Sequence, residues 1–107
     1  MTAIDQARLD LEQRRADSAE ARRQQTAARD RLARLRDREP ALRRAGDAQR
    51  GALRRLEAEI RQAAIALDDA NNALRVAVDA ERAAADRFGQ LIEPHRAIQE
   101  WNDRIPF

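Results

Sequence analysis

Residues 39–51 read EPALRRAGDAQRG, and they hold every proline and glycine of the first 88 residues. Pro40 lacks the N–H that an interior helical residue donates, and it costs about 3 kcal/mol inside a helix. The Gly46-Asp47 step is the sharper signal. Glycine suits the left-handed residue that follows a helix end, and aspartate suits the N-cap of the next helix. On either side the chain is free of such breakers. Ala3 to Arg38 contains no Gly or Pro, with Thr2 placed to cap it, and Ala48 to Phe88 is interrupted only by Gly51 near its start. The reading is a helix over 3–38, a turn region over 39–51 and a second helix over 48–88. Gly89 is a stop, Pro94 opens a short helix reaching about residue 102, and residues 89–107 form a separate tail.

Two arms of similar length around a breaker cluster predict an all-α fold: a long antiparallel helical hairpin, or coiled coil, with a short C-terminal helix. The alternative is one kinked helix that dimerises in parallel, since a single heptad register runs through both arms. The combined cost of Pro40 and the nearby glycines favours the hairpin.

Composition agrees with extended helices. Ala, Leu, Arg and Glu supply 63 of the 107 residues, beyond the share that marks coiled coils and long helices. Large apolar residues are too few for a globular core, so burial is expected along a helix–helix seam. The heptads can be written out. The first helix places Ile4, Leu11, Ser18, Gln25 and Leu32 at a, and Ala7, Arg14, Ala21, Ala28 and Leu35 at d. The second places Leu53, Ile60, Leu67, Leu74, Glu81 and Phe88 at a, and Leu56, Ala63, Ala70, Ala77 and Ala84 at d. Large residues at a with alanine at d make a narrow seam and close helix approach. Its expected mainstays are Leu32, Leu35, Leu53, Leu56, Ile60, Leu67 and Leu74, with a weak stretch at Arg14, Ser18 and Gln25.

All 21 basic residues are arginine, and the formal net charge is only +2, but its distribution is uneven. Residues 1–21 carry −2, residues 22–55 carry +8 and residues 56–107 carry −4. A hairpin would therefore present a basic turn formed by Arg34, Arg38, Arg43, Arg44, Arg50, Arg54 and Arg55. Three readings apply to it. The arginine stems can cover a thin seam, the turn can dock on an acidic protein surface or on the stem of another copy, or it can contact phosphates. Against the last, the turn has no aromatic residue on which bases could stack.

The tail differs from the rest. All three aromatics, Phe88, Trp101 and Phe107, lie in the last 20 residues, with Leu91, Ile92, Ile98 and Ile105 among them. Ile98 and Trp101 are three apart and share a helix face. They either fold back to cap the base of the stem or form an apolar docking element, in which Ile98, Trp101, Ile105 and Phe107 meet a partner. The final Arg-Ile-Pro-Phe reads as leading into a longer chain or into a partner.

The parts of most catalytic sites are missing. The chain has no Cys, Tyr or Lys, one His (His95) and one Ser (Ser18). Its three glycines are scattered, so no phosphate-binding loop is present. No paired Glu-x-x-His motifs of the ferritin-like kind occur. Asp68 and Asp69 are adjacent and point about 100° apart on a helix, which rules out a shared site. The longest purely apolar run, Ala63 to Leu67, is five residues, too short for a membrane span. The N-terminus carries no signal-peptide pattern, so the cytoplasm is the expected location. The outline resembles the small helical hairpins of type VII secretion, although it lacks their Trp-x-Gly turn. It also resembles the Arg-rich coiled-coil stalks of secretion systems and rotary ATPases. No functional residue is carried over from either.

The function expected from these features is that of a non-catalytic coiled-coil scaffold or interaction module. It would tether or oligomerise components of a larger assembly, with a protein partner or a second copy, and without cofactor, metal or small-molecule substrate. The alternative is a small nucleic-acid-binding protein that uses the Arg-rich turn.

Overall fold

The structure, a computed structural model, describes residues 1–104. Two long helices carry the fold, which is an antiparallel helical hairpin: α1 spans Ala3–Arg44 and α2 spans Arg50–Arg104. A single 3-10 turn, Gly46–Gln49, joins them. Among the described residues there is no strand, and no helix is long and apolar enough to cross a membrane.

At its start α1 is held by a reciprocal cap. The Asp5 N–H donates to Thr2 Oγ1 at 3.1 Å, and the Thr2 N–H donates to Asp5 Oδ2 at 3.3 Å. Hydrogen bonding from Thr2, its hydroxyl first and its backbone second, holds the Asp5 carboxyl below its usual value. Two donors that would otherwise be orphaned at the helix start are thereby satisfied.

The helices extend further than the breakers suggest. α1 runs through Pro40 to Arg44 instead of ending at residue 38, so the turn shrinks from residues 39–51 to the residues between Arg44 and Arg50. Pro40 is exposed, and the carbonyl it leaves unbonded, that of Arg36, can be hydrated. Carrying the helix past it lets Leu42 pack on the core, which offsets part of the proline cost. The actual stop is Gly46, the one residue with positive φ among the described residues, at +68°. An added Cβ there would meet nothing within 4 Å, so glycine is required for its backbone conformation alone. Gly51 falls in the first turn of α2, where a lost side chain costs little. Gly89 and Pro94 also lie inside α2. The expected C-terminal helix is present, then, but as a continuation of the second arm, without a break at Gly89. Leu91 and Ile92 are half-buried just beyond that glycine, and their burial rewards continuation.

The chain divides into two compact units, Glu20–Arg75 and Met1–Ala19 with Val76–Phe107. In the first, Leu32, Leu35, Leu56 and Ala63 form the buried cluster, with Leu42, Ile60, Ala64 and Leu67 packed against it. Leu53 and Leu74 are half-buried. Of the expected seam residues, Leu32, Leu35 and Leu56 are thus buried, Ile60 and Leu67 are half-buried against them, and Leu53 and Leu74 lie outside this cluster. Ala63 is the most enclosed, with 1% of its surface exposed, because alanine at d lets the opposing helix come close. Gln25 occupies an a position without breaking the seam: its Nε2 donates to Asn71 Oδ1 at 2.8 Å, bridging α1 and α2. At the turn end, Arg43 reaches both Glu39 at 2.6 Å and Glu57 at 3.4 Å.

In the second unit the buried residues are Ala7, Leu11, Ser18 and Ala84, and Phe88 is half-buried. The guanidinium of Arg8 lies over the Phe88 ring, 5.9 Å from its centroid, a cation–π contact that also covers the aromatic with an aliphatic stem. Of the three residues that looked weak on the seam, only Arg14 turns away from it. It is exposed and pairs with Asp10 at 3.5 Å.

Candidate functional site

Three sets of exposed side chains stand out, two on single helix faces and one around the turn. The first is the apolar pair near the end of α2. Ile98 is 60% exposed and Trp101 64% exposed. Being three residues apart, they lie on one face. Neither caps the base of the stem, so the structural role expected for a folded-back third helix is not what they perform. Local order in this stretch comes from an i,i+4 bond in which Gln99 Nε2 donates to Asp103 Oδ1 at 3.2 Å. The other two residues expected to dock, Ile105 and Phe107, lie outside the described residues.

The second set is the basic turn. Arg34, Arg38, Arg43, Arg44, Arg50, Arg54 and Arg55 are all exposed. Two are neutralised locally. Arg43 sits between Glu39 and Glu57, and hydrogen bonding and attraction from Glu39, with a smaller part from Glu57, raise its pKa further. Arg50 pairs with Asp47 at 2.5 Å across the 3-10 turn. Among the described residues, the other five make no ion pair within 4 Å, which leaves Arg34, Arg38, Arg44, Arg54 and Arg55 with their charge uncompensated in contact with water.

A third feature escaped the reading of charge by blocks, because it is periodic. Arg8, Arg15, Arg22, Arg29, Arg36 and Arg43 follow one another at intervals of seven along α1, all on the flank beside the a and d residues. Asp79, Asp86, Glu93 and Glu100 also recur at intervals of seven on α2, two residues past d and so on the face opposite the seam. Counting charges in windows averages such rows away. Listing arginine positions modulo seven would have found them.

Recesses on the surface are open and of mixed polarity. Within the Glu20–Arg75 unit, one of about 260 Å³ is lined largely by small side chains, among them Ala27, Ala63, Ala66 and Ala70. Within the other unit, one of about 270 Å³ is bordered by Leu11, Arg15, Val78 and Glu81. The first has only Gln24 and Arg31 as polar side chains, and the second adds Arg82 to Arg15 and Glu81, in both cases at an open surface and not around an enclosed ligand site. Among the described residues no group of three or more His, Asp or Glu side chains is placed to hold a metal ion. Ser18 is enclosed in the seam at 4% exposure, where a substrate has no access to its hydroxyl. These surfaces present an exposed aromatic side chain, exposed guanidinium groups, and rows of charge at fixed intervals.

No family model matches this chain, and no curated protein and no solved structure matches it.

Proposed function

We propose that this protein is a non-catalytic coiled-coil interaction module that tethers or oligomerises components of a larger assembly. One observation carries the reading: Ile98 and Trp101 stand well exposed on one face of α2. Single exposed apolar residues such as Leu9 or Ile65 are ordinary. A Trp and an Ile side by side on a thinly cored protein are different, because aromatic anchors dominate interface energetics. The partner is a protein surface or a second copy, and the work is done by burial of these side chains, without cofactor or substrate. The cytoplasm is the compartment we assign.

A second reading has its own support in the five uncompensated arginines near the turn. A guanidinium offers paired donors to phosphate oxygens, and the alternative is contact with nucleic acid at that end.

One comparison separates the two. The wild type, an Ile98→Ala/Trp101→Ala variant and an Arg34→Glu/Arg54→Glu variant are matched for helix content by circular dichroism, and the proteins and nucleic acids each retains are compared. The scaffold reading expects a protein retained by the wild type and lost, by about a hundredfold in affinity, from the tail variant. Retention that is lost from the turn variant, and that falls steeply with salt for the wild type, transfers the function to the turn. Identical retention by all three overturns both.

A further inference from the structure

The two heptad rows of opposite charge match each other in spacing and in exposure. Arg22, Arg29 and Arg36 on α1 are exposed, as are Asp79, Asp86 and Glu93 on α2. Successive members of either row are seven residues apart, about 10.5 Å along a helix. A helix carrying one row laid beside a helix carrying the other brings every charge to an opposite one. From this we propose that the occupant of the arginine row is the acidic row of a second copy of this chain. The proposal rests on the reading of the protein as an interaction module and names its partner as the protein itself.

Charge is available for such a contact because it is not used within the chain. Among the described residues, none of these six side chains makes an ion pair within 4 Å; the pairs that do form involve Asp10, Glu20, Glu39, Asp47 and Glu57. Local partners are within reach but are not engaged. Asp30 and Asp37 follow Arg29 and Arg36 directly and point about 100° away. Glu39, three residues after Arg36, is taken by Arg43. On α2, Arg75 and Arg82 precede Asp79 and Asp86 by four, and Arg82 and Arg96 follow Asp79 and Glu93 by three, within reach of an intrahelical pair. Among the described residues none of these pairs closes within 4 Å, and Arg75 donates to Asn72 at 3.3 Å.

Access is also open. Beside the arginine row stand Thr26, Ala33 and Pro40, all exposed and short. Beside the acidic row stand Val76 and Ala83, exposed and short, together with the exposed Arg75, Arg82 and Arg96, whose flexible stems must swing aside for a second arginine row. Val76 is 65% exposed. A second helix can therefore approach both rows, and Val76 adds apolar area to what would otherwise be a purely ionic contact. The balance of charge points the same way. The unit Glu20–Arg75 has 14 arginines against nine acids, a net +5, and the rest of the chain has seven arginines against ten acids, a net −3. Each copy thus carries both halves of the contact.

Exposed ion pairs are individually weak and screened by salt, so the test is sedimentation of the full chain across a salt series. The expected result is self-association at about 0.05 M salt that weakens at least about tenfold by about 0.5 M. Two variants then assign the faces: Arg22→Glu/Arg29→Glu/Arg36→Glu and Asp79→Arg/Asp86→Arg/Glu93→Arg. Each alone is expected to lose the association, and an equimolar mixture of the two is expected to recover it. A wild type that stays monomeric at low salt overturns the proposal, without any variant being needed. Association that survives both reversals, or a mixture that fails to recover it, also overturns it. The tail reading fails separately. If Ile98→Ala/Trp101→Ala abolishes self-association while the charge variants keep it, the tail is the contact and the rows are not. If the wild type is monomeric and its arginine row instead binds duplex DNA, the occupant is a polyphosphate and the second copy is excluded.

Discussion

Replacing Leu56 with alanine is expected to lower stability by about 3 kcal/mol. Leu56 is 3% exposed and sits in the buried cluster with Leu32, Leu35 and Ala63. Two contributions add. The removed methyl groups lose their transfer free energy, and the space they leave is bounded by two helices held at a fixed separation by Ala63, so it collapses only in part. Stability here is concentrated in few residues. The described part of the chain has seven buried apolar side chains, three of them alanine, so one leucine is a large share of the whole. Thermal unfolding followed by circular dichroism is expected to show a midpoint roughly 10–20 °C lower. A loss below about 1 kcal/mol would mean that Leu56 is not part of a packed seam.

The opposite change at the neighbouring layer is expected to be nearly as costly. Ala63→Leu adds three carbons at the most enclosed position of the molecule, where only 1% of the residue is exposed. Leucine and alanine differ little in helix propensity, so the effect reports packing alone. The added side chain must either push α1 and α2 apart, which strips contacts from Leu32 and Leu35, or adopt a strained rotamer. Either route costs about 2 kcal/mol. Ala73→Leu serves as control. Ala73 is exposed on the same helix, and its substitution is expected to change stability by no more than about 0.5 kcal/mol. Equal effects at 63 and 73 would show that alanine at d does not set the helix separation.

Those two residues also show how the seam could be read before the fold was seen. Apolar side chains that recur at a and d have one physical use, and Leu56, Ile60, Ala63 and Leu67 meet in the packing as that pattern implies. The helix ends were harder to read. Pro40, Gly89 and Pro94 each carry a local penalty that a sequence displays openly, whereas the burial that offsets it, of Leu42 beyond Pro40 or of Leu91 and Ile92 beyond Gly89, appears only once a partner helix is present. Gly46 was legible because it does something no other residue does cheaply, which is to adopt a left-handed backbone at a helix end. Gln25 looked like a flaw in the seam, and its bond to Asn71 could not be read without knowing which residue on α2 lies opposite. The basic turn was evident from composition. The division of its arginines into Arg43 and Arg50, locally paired, and the five others was not, since it depends on where Glu57 and Asp47 come to rest.

All of these surfaces depend on the chain folding back on itself. Without that, the arginines around Gly46 are not a turn, and the faces of α2 that carry Ile98 and Asp79 have different neighbours. The direct measurement is to place thiols at positions 25 and 71 with Gln25→Cys/Asn71→Cys, whose native side chains meet at 2.8 Å, and to treat the dilute protein with a short bismaleimide. The hairpin predicts a cross-link within one chain, seen by mass spectrometry as a doubly modified monomer carrying a single linker and by peptide mapping as a 25–71 bridge. Exclusive cross-linking between chains, with no bridged monomer at any dilution, would contradict it and favour a continuous helix paired in parallel.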